Sequence, residues 1–378
     1  MRKTVLLTAL FCICAVSSGC ASFGAKRLRA DQVDYARALG DAKKREILSE
    51  VVGLRYADPP GFLSVTQIIA AYQFDAGSGA TVNAGPGVQS YSPLIGTATA
   101  SYSNHPTFTF TPTTGEALAT AYIHPLPATL LLPLAESGVP IDLLLRLTVQ
   151  SIAGLQNASL LGGPNSDGSS GFFQLIQALR RLQQAGELTV GYTAQATDAD
   201  GKKAPHATPE ANQSAANTPA VVSLILSATA GGESAQTRAD LQLVRRLLHL
   251  SEKTHTYPVV YGQSASNTDQ IPMVTRSVLG ILGDLGAQVN VPDQDIVSGA
   301  TKPTIGLVGG ESRPTVIVHS GPKAPKEAFV AIQYRGHAYW VDADDFDSKY
   351  ALGIVQEIVA LAQADQNTAP PVVTVPAG

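Results

Sequence analysis

Cysteine is nearly missing. Of 378 residues only Cys12, Cys14 and Cys20 carry a thiol, and there are one tryptophan and two methionines. Three thiols gathered at one end exclude a disulfide scaffold and the paired-cysteine zinc sites. Charge is scarce too, at 15% of residues against roughly 25% in an average soluble protein. With a net charge of −4 and no basic stripe, nucleic acid is excluded as a partner. No glycine period or sustained heptad is present, which removes collagen and coiled coil. Neither Gly-x-Ser-x-Gly, a phosphate-binding Gly-x-x-x-x-Gly-Lys-Ser/Thr nor His-Glu-x-x-His occurs. No cofactor- or metal-binding pattern is therefore expected.

What is present begins at the N-terminus. Arg2 and Lys3 precede an apolar run from Val5 to Val16, broken only by Thr8, and Ser17-Ser18-Gly19 lead into Cys20. A basic start, an apolar middle and small residues before the cut describe a secretory signal. A cysteine directly after the small residues describes a bacterial lipobox, with Ser17 where Leu is usual. On this reading 1–19 is removed and Cys20 is the lipid attachment site. Its thiol is occupied by a thioether diacylglycerol, with a palmitate-type chain on the new amino terminus. One acyl chain anchors marginally, whereas two or three, at ~0.8 kcal/mol per buried methylene, hold a protein at a membrane. Ala21-Ser22 after Cys20 lacks the Asp associated with inner-membrane retention, so the expected location is the periplasmic face of the outer membrane. An uncleaved membrane helix is the competing reading, because no charge occurs from Thr4 to Ala25.

After an acylated tether at 20–30, the pattern predicts an α+β fold: a mixed or antiparallel sheet with several packed helices behind a long amphipathic helix over 31–56. Strands are predicted over 62–74, 91–103 and 107–111, and a nearly all-apolar helix over 141–153 with Asp142, Arg146 and Gln150 as its polar stripe. A helix follows over 172–184 and a strand over 187–196. The polar stretch 197–219 reads as a linker between an N-terminal region, 31–196, and a C-terminal one, 220–364. There the pattern gives strands over 220–228, 257–261, 288–291 and 315–319, and helices over 235–250 and 273–285. It closes with a hairpin turning at Arg335-Gly336 and a helix over 348–364 capped by Asp347. The tail 365–378 is apolar and β-branched, suited to adding a strand to the protein's own sheet or to another envelope protein.

Candidate chemistry is thin. His319-Ser320, His337 and Asp342 offer a serine–histidine–carboxylate set if the fold joins them. Asp342, Asp344, Asp345 and Asp347 are closely spaced, but lack the glycine and distal Glu of a calcium loop. His249, Glu252 and His255 drift around a helix and do not converge on one ion. Arg276, Arg313 and Arg335 are isolated cations suited to holding a buried carboxylate or an anionic group.

Several stretches carry a family resemblance: Leu54-Arg55-Tyr56-Ala57-Asp58-Pro59-Pro60-Gly61-Phe62-Leu63, Thr275-Arg276-Ser277-Val278-Leu279, Tyr334-Arg335-Gly336-His337-Ala338-Tyr339-Trp340, Asp347-Ser348-Lys349 and Val373-Thr374-Val375-Pro376-Ala377-Gly378. In these the chain resembles an uncharacterised family of Gram-negative bacterial lipoproteins. The resemblance implies location and a family tail; it brings no activity. The leading expectation is a non-enzymatic binding or assembly component of the envelope. The alternatives are an envelope hydrolase built on Ser320, His319, His337 and Asp342, and a solute-binding lipoprotein, which lacks the expected two-lobed repeat.

Overall fold

A computed structural model describes residues 23–69, 72–81, 95–104, 107–112, 114–158, 168–194, 220–227, 234–304 and 313–364. The signal segment, Cys20, the stretch 197–219 and the tail 365–378 lie outside the described residues. The architecture is α+β, in two compact units: 61–115 by itself, and the rest of the chain.

The larger unit opens with helix α1, Phe23–Arg55. It starts well before Asp31, so most of the predicted tether 20–30 is helical; nothing from Phe23 onward breaks the turn until Ala57-Asp58-Pro59. There Ala57 turns left-handed at φ 61°, and the Asp58 amide closes the helix end on the Gly53 carbonyl. Ile47, Leu48, Val51 and Val52 form its buried face.

Helix α2, Gly115–Leu118, runs into a π-helical turn at Ala119–Ile123, and α3, Ala128–Glu136, follows. Helix α4 spans Ile141–Thr148, and Val149–Ile152 is then strand β5, hydrogen-bonded to β6, Leu155–Gln156. The helix predicted over 141–153 therefore ends early. A short, largely apolar stretch such as 147–153 suits a buried strand as well as a buried helix, and β5 pairs inside the main sheet.

Helix α5, Ser170–Ala185, is capped by the Ser169 hydroxyl and stopped by left-handed Gly186. Phe172, Leu175, Leu179 and Leu182 are completely buried, at about 1.5–3 kcal/mol each. Strands β7, Leu188–Ala194, and β8, Ala220–Leu226, pair antiparallel through seven positions. They flank 197–219, so that stretch does not divide the chain into two regions: both sides of it share one sheet.

Helix α6 spans Ala235–Leu247, and strands β9, Thr256–Tyr261, and β10, Ile271–Thr275, are parallel neighbours. The six-stranded order is β6-β5-β10-β9-β8-β7. The helix predicted over 273–285 splits: Met273–Thr275 complete β10, and Ser277 caps α7, Val278–Ala287. Gly286 lets α7 approach α1, since a Cβ there would stand 2.8 Å from the Val51 carbonyl oxygen. A short α8, Asp293–Val297, follows, and 288–291 is not a strand, although the Asn290 amide bonds the Val318 carbonyl.

A second sheet has order β11-β13-β12, from β11, His319–Gly321, β12, Val330–Tyr334, and β13, His337–Val341. Arg335 at φ 48° and Gly336 at φ 80° make its tight turn, the doubly left-handed form that two-residue hairpins favour. Helix α9, Phe346–Ala364, completes the unit. Its cap is Asp345, whose Oδ1 accepts from the Ser348 amide at 3.1 Å, and not Asp347.

The smaller unit is an antiparallel ribbon of two two-stranded sheets. Strand β1, Leu63–Ile69, pairs antiparallel with β4, Thr107–Pro112, and β2, Tyr72–Thr81, with β3, Ile95–Asn104.

Candidate functional site

The second sheet decides the fate of the predicted catalytic set. Successive residues of a strand face opposite ways and paired residues share a face. His319 pairs with Trp340 and Ser320 with Tyr339, so the histidine and the serine lie on opposite faces. His337 alternates with Tyr339 and falls on the serine's face. Asp342 falls on the other, where its Oδ2 stands 3.1 Å from His319 Nε2. The structure thus joins His319 to Asp342 and divides Ser320 and His337 from them. No relay runs from Ser320 through His319 to Asp342.

The partner that His319 does have is Trp340. The two rings stack with centroids 5.7 Å apart, and Trp340 Nε1 donates to Asp342 Oδ1 at 2.8 Å. Trp340 and Asp342 are two apart along one strand direction, the period-two signal that would have marked them as neighbours. His319 sits 21 residues upstream of Trp340 and carries no such local sign.

Behind this sheet two of the resembling stretches meet. The Tyr56 hydroxyl donates to Asp295 Oδ2 at 2.6 Å and lies 2.6 Å from the Tyr339 hydroxyl, which must then donate to Tyr56. Burial, followed by the Asp295 and Tyr339 hydrogen bonds, pushes the Tyr56 phenol far above its ordinary range. The Arg335 guanidinium stands 5.3 Å over the Tyr56 ring, and the Tyr334 hydroxyl donates to Asp58. Arg55 Nη2 reaches the Lys302 carbonyl at 2.6 Å and Thr304 Oγ1 at 3.2 Å. These residues lock the end of α1 to the hairpin and to α8. Their hydrogen bonds serve to join these elements.

The other isolated cations are also engaged. Arg276, from the Thr275-Arg276-Ser277 stretch, is buried with Nη1 3.2 Å from Asp284 Oδ2, and it donates to the carbonyls of Arg146, Leu147 and Ala158. Arg146 Nη1 approaches the same carboxylate oxygen at 3.3 Å. Arg313 Nη2 donates to both oxygens of Asp345 at 2.8 Å and to Ser348 Oγ at 3.0 Å, while Nη1 reaches Asp347 at 2.9 Å. Burial raises the Asp345 carboxyl, but hydrogen bonds from Arg313 and Ser348 outweigh it and hold the group at about 2. Thus Asp345 and Asp347 answer an arginine rather than a metal ion, and among the described residues no group of three or more His, Cys, Asp and Glu is arranged to hold one. His249 lies just past α6 at φ 55°, and His255 Nδ1 faces Arg245 Nη2 at 3.3 Å.

Arg313 also borders a cleft of about 430 Å3, lined with Arg146, Arg180, Asp142, Asp347, Phe173, Ile176 and Tyr350 among others. Here Arg180 Nη1 donates to Gln183 at 2.7 Å, with Nε 3.8 Å from Asp142. The cleft joins α4, α5, α9 and the segment 313–315, which are dispersed over two hundred residues; its lining had no local signature. Chemically it presents guanidinium donors, carboxylate acceptors and an apolar wall.

No family model, no curated protein and no solved structure matches this chain.

Proposed function

We propose that this protein is a lipid-anchored component of the bacterial cell envelope, held by acyl chains on Cys20 at the periplasmic face of the outer membrane, where it works by binding neighbours. One observation carries the reading: the apolar Val5–Val16 run ending in Ser17-Ser18-Gly19-Cys20. The cleft supports the binding part. Oppositely charged groups beside Phe173 and Ile176 suit a peptide segment of another protein, and their ion pairs fix them in place before a partner arrives. The division of His319 and Asp342 from Ser320 takes away the relay on which the alternative hydrolase reading rested.

Globomycin, which blocks lipoprotein signal cleavage, tests the anchor. Treated cells accumulate a precursor longer by residues 1–19, and Cys20→Ser abolishes acylation seen by mass spectrometry. Normal processing in both cases overturns the proposal.

A further inference from the structure

The 61–115 unit differs from the rest of the chain in charge. Between Leu63 and Pro112 Asp75 is the one charged residue, in a protein where such residues make 15%. Its two sheets keep one register: Ile69 pairs with Thr107 and Tyr72 with Asn104, each three positions further along its strand. Pairing then sorts the residue types. Val65/Phe110, Ile68/Phe108, Phe74/Tyr102 and Ala76/Ala100 fall on one face; Gln67/Thr109, Gln73/Ser103, Asp75/Ser101 and Gly77/Thr99 fall on the other. The irregularity between Val65 and Gln67 maintains the sorting, since with Thr66 paired in regular alternation Leu63 and Val65 would fall on the hydroxyl-bearing face.

A sheet resting on a core and facing water carries charges outside and blunts its edges with lysine. This ribbon has one carboxylate, Asp75, and no lysine. The Gln73 face carries mostly Thr, Ser, Gln and Gly, together with Ile69 and Ile95, and the Phe74 face is mostly aromatic and small apolar, together with Ser78 and Asn104. Strands β2 and β3 have 10 residues each, within the ~9–11 that a tilted barrel strand needs to cross a bilayer. Period-two alternation without charge is the pattern of strands that meet lipid on one side and a watery interior on the other. Among the described residues, however, β2 and β3 form a sheet of only two strands with both outer edges unpaired. Hydrocarbon does not tolerate open edges, so a spanning ribbon must be closed by further strands. The partner that supplies identical strands is another copy of this chain.

We infer that several copies of the protein each place strands β2 and β3 in one closed transmembrane β-barrel, with the Phe74/Tyr102 face toward lipid and the Gln73/Ser103 face toward an aqueous interior. The inference rests on the envelope location proposed above, which brings the ribbon to a bilayer.

The test uses the full acylated chain, purified and reconstituted into phosphatidylethanolamine/phosphatidylglycerol vesicles. Acylated Cys20 leaves the mature chain without a free thiol, so single cysteines report alone. Cysteine replaces Gln73, Ser101 or Thr99 in one set and Phe74, Tyr102 or Ala100 in the other. With a membrane-impermeant maleimide, the first set reacts at least about tenfold faster than the second, and only lipid-borne nitroxide quenches probes on the second. Detergent extraction yields an oligomer, and planar bilayers show steps of ionic conductance. Phe74→Arg lowers the inserted fraction about thirty-fold or more, whereas Thr99→Arg retains insertion. Equal labelling of both sets, a monomer in detergent, or alternation that is the same without vesicles overturns the inference. Acylation is read by globomycin and mass spectrometry, and insertion by labelling, so the failure of one does not pass for the failure of the other.

Discussion

Phe172 and Phe108 are the same residue under two regimes. Phe172 lies in α5 with none of its surface exposed, edge-on to Phe173 at 5.6 Å, inside a core drawn from helices and strands far apart in the chain. Phe108 lies in the ribbon, opposite Ile68, in a ladder whose order comes from register alone. The larger unit is held by irregular packing and by buried ion pairs; the smaller is held by repetition. Repetition is cheap to encode locally, but it does not bury a core, and an isolated hairpin is marginal in water. The two units therefore answer different substitutions.

Phe172→Ala is expected to cost about 3–5 kcal/mol of unfolding free energy, by lost burial and a cavity. Phe108→Ala is expected to move the same denaturant midpoint by less than about 0.5 kcal/mol. Comparable losses for both would break the distinction. Gly286→Ala comes next, at about 1–3 kcal/mol, because the new methyl meets the Val51 carbonyl and forces α7 from α1. Circular-dichroism melts of the two glycine positions Gly286 and Gly77, each changed to Ala, sharpen the contrast: the first shifts the main transition and the second leaves it.

Asp345→Ala removes both the α9 cap and the Arg313 partner, for about 1–2 kcal/mol. This effect has a pH signature. The folded carboxyl titrates at about 2, below its ordinary 3.8. Its contribution is complete above about pH 4 and is lost as pH falls through 2. The difference between wild type and Asp345→Ala in thermal midpoint should therefore shrink from pH 5 to pH 2; a constant difference would show that the carboxylate's charge is immaterial. Smallest is Tyr56→Phe, about 1 kcal/mol by urea unfolding, since the half-buried Asp295 carboxylate and the buried Tyr339 hydroxyl lose one shared partner.

Much of this architecture is legible in local pattern. The long first helix, the α+β class, the hairpin at Arg335-Gly336 and the strands near 95–112 all follow from periodicity and turn chemistry within a few residues. Errors fall where one pattern serves two structures. Ile141–Ile152 is mostly apolar with its polar residues at helical spacing, and the point where α4 becomes β5 is set by pairing of Val149 with Thr275. Met273–Thr275 continue the apolar pattern of α7 backward and are strand for the same reason. Asp347 looked like the cap because it precedes Ser348, but Arg313 claims it and Asp345 takes the role. The split of His319 from Ser320 was available in principle from strand alternation, yet it required knowing that both stand in a strand.

By itself the sequence determined the signal-like N-terminus with Cys20, the scarcity of charge, the alternation of 95–112 and most element types. These depend on neighbours a few positions apart, where chain geometry leaves little choice. Tertiary structure alone decided that Tyr56 shares a hydrogen bond with Tyr339 across 283 residues, that Arg146 and Arg276 converge on Asp284, and which helices line the cleft. Such pairings are fixed by how the whole core closes, and no local spacing records them.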